Sequence, residues 1–407
     1  MIESRQHYRE PVLIAGAGIG GLTTALSLRA AGIDAVVVES AREIRPLGVG
    51  INLQPHAVRE LTELGLGAEL AACGVAIDRT VYCDRYGNEI FTEPRGTAQG
   101  YRWPQYAIHR GELQLLLLAA VRERLGADAV RTGTRLTGFA DDGPSAVQVR
   151  LLERETGAVT EFAAAALVGA DGLRSAVRAQ LHPDEGPLCW SGVRMWRGVT
   201  RSEPFLDGRS MVIAQDGEAG DVQLIAYPIG RNRINWVCQV RVGGPSTLDE
   251  DTDWDRTGRL ADVLPHFREW TVGGLDVAGL VGGSELLLEY PMVDRDPLPD
   301  WGRGRVTLLG DAAHLMYPVG ANGASQAIVD ARVLAHELAR AADVPHGLAG
   351  YEAVRREVTA SVVRANRAMH GDVGRTPQDL ARITATYRHA TGSDVDVLNN
   401  RPSLDHS

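Results

Sequence analysis

The segment between Val12 and Glu39 constrains the fold more than any other part of this sequence. Val12–Ala15 is a short apolar run typical of a buried parallel strand, and Leu22–Ala31 has the apolar spacing of a helix. Ala35–Val38 indicates a second buried strand, and a glycine-rich turn, Gly16-x-Gly18-x-x-Gly21, joins the first strand to the helix. This order and length are those of a nucleotide-binding βαβ unit.

The glycines of this turn have separate physical reasons. Gly16 permits the tight turn, Gly18 lets a pyrophosphate approach the backbone, and Gly21 lets the helix pack on the sheet. The helix N-terminus favours the negative charge of that pyrophosphate. Glu39 follows the second strand and can accept hydrogen bonds from a ribose 2′-OH. We therefore predict a dinucleotide site, although the motif by itself does not distinguish FAD from NAD.

Two further motifs follow apolar strands later in the chain. The first is Gly169-Ala-Asp171-Gly172-x-x-Ser175-x-x-Arg178, which alone indicates only a turn. The second is Gly310-Asp311-Ala-Ala-His314-x-x-x-Pro318, continued by Gly320-Ala-Asn-Gly323. Asp311 stands at a strand's C-terminal end, where α/β sheets place ligands, and its carboxylate can hold a ribityl hydroxyl. The helix that begins near Gly323 favours an anionic acceptor such as the N1/O2 region of a reduced flavin.

Composition excludes several classes of enzyme and partner. The 407-residue chain has no lysine, because all 42 basic residues are arginine. Arginine cannot form a Schiff base or act as a base near neutral pH. This excludes pyridoxal-phosphate enzymes, lysine aldolases and P-loop nucleotidases, each of which needs a lysine amine in a fixed role. The formal net charge of −10 disfavours nucleic acid and anionic membrane surfaces as partners. The four cysteines lack CxxC spacing, so we expect no metal site and no disulfide framework.

The pattern of elements predicts an α/β chain in which an antiparallel β-sheet domain interrupts the nucleotide-binding domain. No apolar run approaches the roughly 20 residues that span a bilayer, and the N-terminus lacks an apolar signal region, so a cytoplasmic protein is expected. The predicted segments are 1–73, 104–180 and 290–345 for the nucleotide-binding domain, 74–103 and 181–289 for the substrate-binding sheet, and 346–407 for a C-terminal helix and polar tail.

In order and separation, the three motifs resemble those of the single-component (group A) flavoprotein aromatic hydroxylases, the p-hydroxybenzoate hydroxylase-like family. Gly16–Gly21 is similar to the family's ADP-binding fingerprint, Ala170–Arg178 to its Asp-Gly motif and Gly310–Pro318 to its Gly-Asp motif. Arg110 is similar to the arginine that reaches the FAD phosphate and ribose region. The resemblance covers nearly all of residues 12–370 and implies a GR2-type FAD-binding Rossmann-like domain.

The resemblance also implies the reaction. NADH or NADPH reduces FAD, and the reduced FAD takes up O₂ to give a C4a-hydroperoxide that hydroxylates an aromatic small molecule. Within the family, three segments are similar to the phenazine-pathway (pyocyanin-forming) monooxygenases, whose reaction is a decarboxylating hydroxylation: Arg45–Asn52, Met195–Val199 and Tyr290–Ile328. We therefore expect a phenolic or phenazine-like substrate, with decarboxylation left open.

Site residues follow from the motifs and the resemblance. Pro318 and Gly320 are expected beside the flavin ring, and no general base is assigned. The predicted cofactor-binding residues are Gly16, Gly18, Gly20, Gly21, Glu39, Ser40, Gly50, Arg110, Asp171, Asp311, Gly323 and Ala324. The predicted substrate pocket consists of Trp196, Leu224, Tyr227, Trp236 and Tyr317, although plain core packing explains each of these side chains as well. Candidate polar contacts to the substrate are His56, Arg194, Tyr227 and Gln239.

Other interpretations remain open at this point. A flavin halogenase shares the fold, but it requires a lysine and a Trp-x-Trp-x-Ile-Pro segment that this chain lacks. A plain NAD-dependent dehydrogenase does not need Asp311 or the Gly320–Gly323 turn, and a non-catalytic binding module would lack a stoichiometric yellow cofactor. The oligomeric state, monomer or homodimer, is equally open.

Overall fold

The structure is a computed structural model that describes residues 9–46, 48–141, 145–216, 221–248, 256–371 and 376–404. Parts of the predicted segments lie outside the described residues. They include residues 1–8 of the nucleotide-binding domain, residues 405–407 of the C-terminal tail and Leu47 of the Arg45–Asn52 segment. No helix in the described part of the chain is long and apolar enough to cross a membrane.

The helices of the described residues alternate with strands in the first half of the chain and dominate its end. They are α1 (Ile19–Ala30), α2 (Pro55–Glu63), α3 (Gly67–Cys73), α4 (Arg110–Leu125), α5 (Ala176–Leu181), α6 (Leu260–Phe267), α7 (Val277–Gly282), α8 (Asp311–His314), α9 (Gly323–Arg340), α10 (Val344–Gly371), α11 (Pro377–Ala390) and α12 (Val395–Asn399).

The strands of the same residues are β1 (Val12–Ala15), β2 (Ala35–Glu39), β3 (Gly50–Leu53), β4 (Val75–Ile77), β5 (Arg79–Asp84), β6 (Glu89–Pro94), β7 (Gln105–His109), β8 (Val130–Thr132), β9 (Thr134–Ala140), β10 (Val147–Glu153), β11 (Val159–Ala164), β12 (Ala166–Gly169), β13 (Leu188–Arg201), β14 (Ser210–Asp216), β15 (Val222–Pro228), β16 (Arg233–Arg241), β17 (Ser246–Leu248), β18 (Arg256–Thr257), β19 (Thr271–Val272), β20 (Leu275–Asp276), β21 (Leu287–Asp294), β22 (Gly302–Arg303) and β23 (Val306–Leu308).

The predicted nucleotide-binding strands form one sheet of order β22-β23-β12-β1-β2-β8. From β23 to β8 the neighbours are parallel, so their C-terminal ends share one edge of the sheet. Strands β1, β12 and β23 are adjacent and completely buried, as expected of parallel strands with helices on both faces. The three glycine-containing motifs therefore begin side by side at this edge.

A second sheet has the order β18-β21-β13-β16-β15-β14-β5-β6, with β17 paired to β13. Its strands come from the predicted substrate-binding segments, and β21 continues to Asp294, past the predicted boundary at residue 289. The pairs are antiparallel except β5 with β14, which is parallel. This one parallel pair differs from the expected all-antiparallel sheet.

The C-terminal region differs from the expected polar tail. Helices α11 and α12 follow α10, and Thr376 caps the start of α11 by accepting a hydrogen bond from the Asp379 amide. The segment is tied to the body of the protein, because Tyr101 donates to the Ser393 carbonyl and Arg59 donates to the Arg401 carbonyl. The sequence of these helices is mostly polar, and for this reason it predicted a tail although the helices have a fixed position.

A buried polar cluster around Asp330 binds the backbone and the histidine of the Gly-Asp motif. The fully buried carboxylate of Asp330 on α9 accepts hydrogen bonds from the Gly310 amide at 3.2 Å and from Arg355 at 2.7 Å, and lies 2.6 Å from the His314 ring. Burial alone raises the pKa of Asp330, but the charges and hydrogen bonds of His314 and Arg355 hold it below its ordinary value. His314 is therefore part of the buried support of this motif.

Replacing Asp330 by alanine should destabilise the protein by about 3–5 kcal/mol, because the buried Arg355 would keep its charge and its bond to the neutral Gln326 side chain but would lose this carboxylate. Urea unfolding followed by circular dichroism measures this change. Since the pKa of Asp330 is depressed in the folded state, its contribution to stability should be lost as the pH falls through that value. Asp343→Ala is the control: that exposed carboxylate caps the start of α10 by accepting from the His346 amide, and its removal should cost only a helix cap, clearly less than the removal of Asp330.

Candidate active site

A cavity of about 530 Å³ lies between the C-terminal edge of the parallel sheet and one face of the larger sheet. Gly18 from the first motif, Gly172 from the second and Asp311 from the third line the same cavity. Segments nearly 300 residues apart in the chain thus meet at one site. The volume is within the range of about 300–1,000 Å³ typical of small-molecule sites.

The first motif has the geometry that a bound pyrophosphate requires. Gly16 adopts φ +104°, and a Cβ there would lie 2.4 Å from the Ala170 carbonyl oxygen, so only glycine fits. By contrast, a Cβ on Gly18 would meet nothing within 4 Å, which leaves the start of α1 open to a ligand. No side chain caps that helix and its first turn has no acidic residue, so its amides remain available for an anion.

Glu39 lies beside this turn but outside the cavity lining. Its carboxylate accepts hydrogen bonds from the Ala17 amide at 2.9 Å and from the Ala41 amide at 2.7 Å. Ser40 donates to the same carboxylate at 3.2 Å. Gly20 faces the cavity, whereas Gly21 packs against the Gly16 carbonyl, where a Cβ would come within 2.0 Å. The turn and the acidic residue are therefore held together by direct bonds.

The second motif has a structural use that its sequence does not reveal. The Asp171 carboxylate accepts hydrogen bonds from the Ser175 hydroxyl and the Ala176 amide, which caps α5, and it does not line the cavity. Burial raises the pKa of Asp171. Arg178 is buried, pairs with Glu185 and donates to the Ala312 carbonyl at 2.8 Å. The second motif thus positions the third motif rather than presenting its carboxylate to a ligand.

The third motif faces the cavity directly. The Asp311 side chain is exposed, and a Cβ on Gly323 would lie 3.7 Å from its Oδ1 atom, which places the carboxylate next to the start of α9. Pro318, Gly320 and Ala324 also line the cavity. A carboxylate next to a helix N-terminus offers an acceptor for hydroxyl groups and donors for an anionic ring edge. These features fit the ribityl chain and ring of FAD.

Gly50 contacts the larger sheet rather than the cavity. Its amide donates to the Asn235 side chain at 2.6 Å, and its carbonyl accepts from Arg197 at 2.9 Å and from Tyr227 at 2.8 Å. A Cβ on Gly50 would lie 2.6 Å from the Asn235 Cβ, so the close approach depends on glycine. These bonds fix the segment that includes Ile51, which does line the cavity, against the sheet.

The larger sheet presents chemically distinct rows to the cavity. Gln215, Gln223 and Gln239 are cross-strand neighbours on β14, β15 and β16, and all three line the cavity. Two residues further along, Ile213, Ile225 and Val237 form an apolar row in the same register. Because side chains of a strand alternate between its faces, these rows share one surface. The wall combines an apolar row with a row of side-chain amides.

Three of the predicted pocket residues lie on the opposite face of this sheet. Trp196, Leu224 and Trp236 are buried in a hydrophobic core beneath it, and the indoles donate to Glu289 and Thr200, respectively. The expectation that they line the pocket is therefore corrected. Large apolar side chains suit a core and a pocket equally, and alternation places their neighbours in the cavity instead. Tyr227 and Tyr317 do line it.

The polar candidates also separate by position. Tyr227 and Gln239 line the cavity, whereas Arg194 faces away and lies 3.4 Å from Glu289. His56 is buried beside a smaller neighbouring cavity, and burial lowers its pKa to about 3. Burial raises the pKa of both Tyr227 and Tyr317 to about 12, so these phenols are protonated at neutral pH.

The charge of the cavity opposes that of the whole chain. Four arginines and two aspartates line it, although the protein carries a formal net charge of −10: Arg95, Arg110, Arg197 and Arg241 against Asp221 and Asp311. Arg241 lies 3.2 Å from Asp221 and 3.5 Å from the His370 ring, whose pKa is lowered by burial and then by that arginine. Such a lining favours anionic ligands.

One wall of the cavity comes from a helix that was not predicted from the sequence. Leu380, Ile383 and Thr384 on α11 line it. Their spacing of three and four residues is that of one helix face. Thr376-Pro377 with Asp379 is a helix-start signal from which α11 could have been identified.

Among the described residues, no group of three or more histidine, cysteine or acidic side chains is placed to hold a metal ion.

Comparison with known proteins agrees with this geometry. A family model described as an FAD binding domain matches residues 9–262 and 292–366. Phenazine 1,6-dicarboxylic acid hydroxylase PhzS of Lysobacter antibioticus is 56% identical over 93% of this chain and 96% of that protein. 3-Hydroxybenzoate 6-hydroxylase 1 of Aquipseudomonas alcaligenes is 33% identical over 88% of this chain and 87% of that protein.

A solved structure supports the fold and the cofactor. Klebsiella pneumoniae HpxO in complex with FAD and uric acid matches with a TM-score of 0.77 and 25% identity, covering 97% of this chain and 98% of that one. The expected FAD-binding fold and the resemblance to aromatic hydroxylases are confirmed by these findings together.

Asp311→Ala should weaken FAD binding about tenfold or more, because a hydrogen bond to a charged group contributes about 1.5–3 kcal/mol. Flavin released during dialysis of the holoenzyme, measured by absorbance, checks this expectation. Asp34→Ala removes an exposed carboxylate from the loop before β2 and serves as the matched control. Full FAD occupancy in Asp311→Ala would show that this carboxylate does not hold the cofactor.

Proposed function

We propose that this chain, which belongs to the FAD binding domain family together with flavoprotein aromatic hydroxylases, hydroxylates a phenazine carboxylic acid. FAD is the cofactor and, when bound, supplies the oxygen-activating chemistry. NADH or NADPH and O₂ are the proposed co-substrates. The proposed enzyme is cytoplasmic and works as a monomer or homodimer.

The observation that carries this proposal is a cavity that combines an apolar row of side chains with an excess of arginines. The apolar row of Ile213, Ile225 and Val237 offers a planar surface to a fused aromatic ring. Arg241, at the end of β16 beyond the glutamine row, offers a partner for a carboxylate. A phenazine carboxylate combines both features, and the phenazine-dicarboxylate hydroxylase of Lysobacter antibioticus is 56% identical to this chain.

The residues of the cavity also support a reaction that must exclude water. Met195 and Met211 extend the apolar surface of the sheet, and Leu380 and Ile383 cover it from α11. Water exclusion protects a reactive oxygenating species from wasteful release as H₂O₂. The protonated phenols of Tyr227 and Tyr317 orient rather than accept protons. The chain thereby holds and shields a substrate while the cofactor does the chemistry.

The alternative functions fit less well. A halogenase of this fold requires a lysine, which the chain lacks. A plain NAD-dependent dehydrogenase would have no use for Asp311 and Gly323 in the same cavity as Gly18. A non-catalytic binding module would lack a stoichiometric yellow cofactor, which the colour of the purified protein tests.

Purified protein should be yellow, and a phenazine carboxylate should stimulate its NAD(P)H oxidation more than hydroxybenzoates or fused polycyclic phenols do. Product mass and peroxide are measured in the same assays. A true substrate gains one oxygen with little peroxide, and loss of CO₂ reveals decarboxylation. Oxidation that yields only peroxide with every phenazine would refute the proposed substrate class.

Arg241→Met should raise KM for a phenazine carboxylate about tenfold, because it removes a charge-assisted contact of about 1.5–3 kcal/mol. A phenazine without a carboxyl group should be affected much less. Arg194→Met is the matched control: Arg194 lies opposite Val240 on the neighbouring strand and faces the other side of the sheet. An equal rise in KM for both phenazines would show that Arg241 does not read the carboxylate.

A further inference from the structure

Helix α11 reaches the cavity in two ways. Leu380, Ile383 and Thr384 form part of its wall, and one turn later Tyr387 is placed under the loop of residues 317–323. That loop carries Pro318 and Gly320, the residues expected beside the flavin ring. The helix belongs to the region that sequence analysis assigned to a polar tail, so no role had been expected of it.

The Tyr387 hydroxyl connects both ends of this loop. It accepts a hydrogen bond from the Asn322 side-chain amide at 2.6 Å and donates to the Asn366 side-chain oxygen at 2.7 Å. The Asn366 amide in turn donates to the Tyr317 carbonyl at 2.9 Å. Asn322 and Asn366 are buried, and their side-chain amides are therefore shielded from water. These hydrogen bonds satisfy polar groups that would otherwise lack a partner. The Tyr387 oxygen therefore binds Asn322 directly and is linked to Tyr317 through Asn366.

The middle of the loop also lies against this hydroxyl. Gly320 has φ +71°, and a Cβ there would come within 2.0 Å of the Tyr387 oxygen. On the other side, the Gln54 side chain donates to the Gly320 carbonyl at 3.0 Å. Gly320 is thus held between α11 and the segment that precedes α2.

The same path continues to the base of the Gly-Asp motif. Gln326 donates to the Asn322 side-chain oxygen at 3.4 Å and accepts from Arg355 at 2.5 Å. Arg355 in turn bonds to Asp330, which binds the Gly310 amide. A continuous buried network therefore runs from α11 to both sides of the cofactor-facing segment. Burial raises the pKa of Tyr387 well above its ordinary value, so its hydroxyl remains a donor at every working pH.

We propose that Tyr387 is a positioning residue: through Asn322 and Asn366 it holds the 317–323 loop in the shape that seats the isoalloxazine ring of FAD. A loosened loop would admit water beside the reacting ring and raise the release of H₂O₂. This catalytic consequence of the inference rests on the proposed function. Its structural consequence, an altered setting of the bound flavin, does not depend on the substrate.

Tyr387→Phe tests the proposal in the holoenzyme. The variant keeps the ring but removes the shared oxygen, leaving the Asn322 donor and the Asn366 acceptor without this partner. We expect a changed visible circular-dichroism spectrum of bound FAD in the absence of substrate. With substrate, the fraction of NAD(P)H oxidation released as H₂O₂ should rise about tenfold, since small displacements at a reacting centre have effects of this size or larger.

Tyr101→Phe is the matched control. It also removes a buried tyrosine hydroxyl that binds the C-terminal region, but its bond goes to the Ser393 carbonyl and not to the loop. Both variants should lower the melting temperature to a similar extent. Only Tyr387→Phe should change the flavin spectrum and the peroxide fraction. An equal spectral change in both variants would overturn the proposal, because the effect would then be general loosening.

The path through the asparagines can be tested separately. Asn366→Ala breaks the link from α10 and should reproduce the spectral change of Tyr387→Phe. Asn322→Ala combined with Tyr387→Phe should have an effect smaller than the sum of the two single variants, because both remove the hydrogen bond between Asn322 and Tyr387. An unchanged flavin spectrum in Tyr387→Phe, or additive effects in the double variant, would refute the positioning role. A changed spectrum together with a wild type that hydroxylates no phenazine would refute only the proposed function.

Discussion

The adjacency of three parallel strands determines the active site. Strands β1, β12 and β23 are neighbours, so the turns that follow them lie side by side at one edge of the sheet. Their contact is close enough that Gly16 has no room for a Cβ against the Ala170 carbonyl. The Leu309 amide donates to the Gly169 carbonyl and completes the row. A ligand that spans this edge would contact residues from both halves of the chain.

The larger sheet completes the site by separating two kinds of chemistry on its two faces. One face is a hydrophobic core that contains Trp196 and Trp236, and the other is the apolar and amide-bearing wall of the cavity. The bonds from Asn235, Arg197 and Tyr227 to Gly50 join this sheet to the cofactor-binding part. The substrate wall and the cofactor edge are thereby held in a defined relation, which hydroxylation at a chosen ring carbon requires.

The C-terminal helices add a third wall and a support. Helix α11 covers the cavity with its apolar face and supplies the Tyr387 hydroxyl to the loop above it. Hydrogen bonds are stronger in a buried network than in water, and they restrict the motion of the groups that they join. The path from Tyr387 through Gln326 and Arg355 to Asp330 therefore gives the cofactor-facing loop a rigidity that its glycines alone would not provide.

Local physics made the geometry of the glycine turns predictable. The turn at Gly16, the open approach at Gly18 and the strand-end position of Asp311 depend on residues close in sequence, and their motif spacing indicated each of them. The same reasoning could not place Asp171, because its carboxylate caps α5 in a contact that only the folded turn reveals.

The sequence by itself determined the parallel-sheet framework, the dinucleotide-binding turn and the resemblance to aromatic hydroxylases. Only the tertiary structure decided which face of each strand meets the cavity, so Gln223 lines it and Leu224 does not. The tertiary structure also decided that residues near the C-terminus cover the site. The physical reason is that a core and a pocket take the same apolar side chains, and only the packing of distant elements assigns a surface to one or the other.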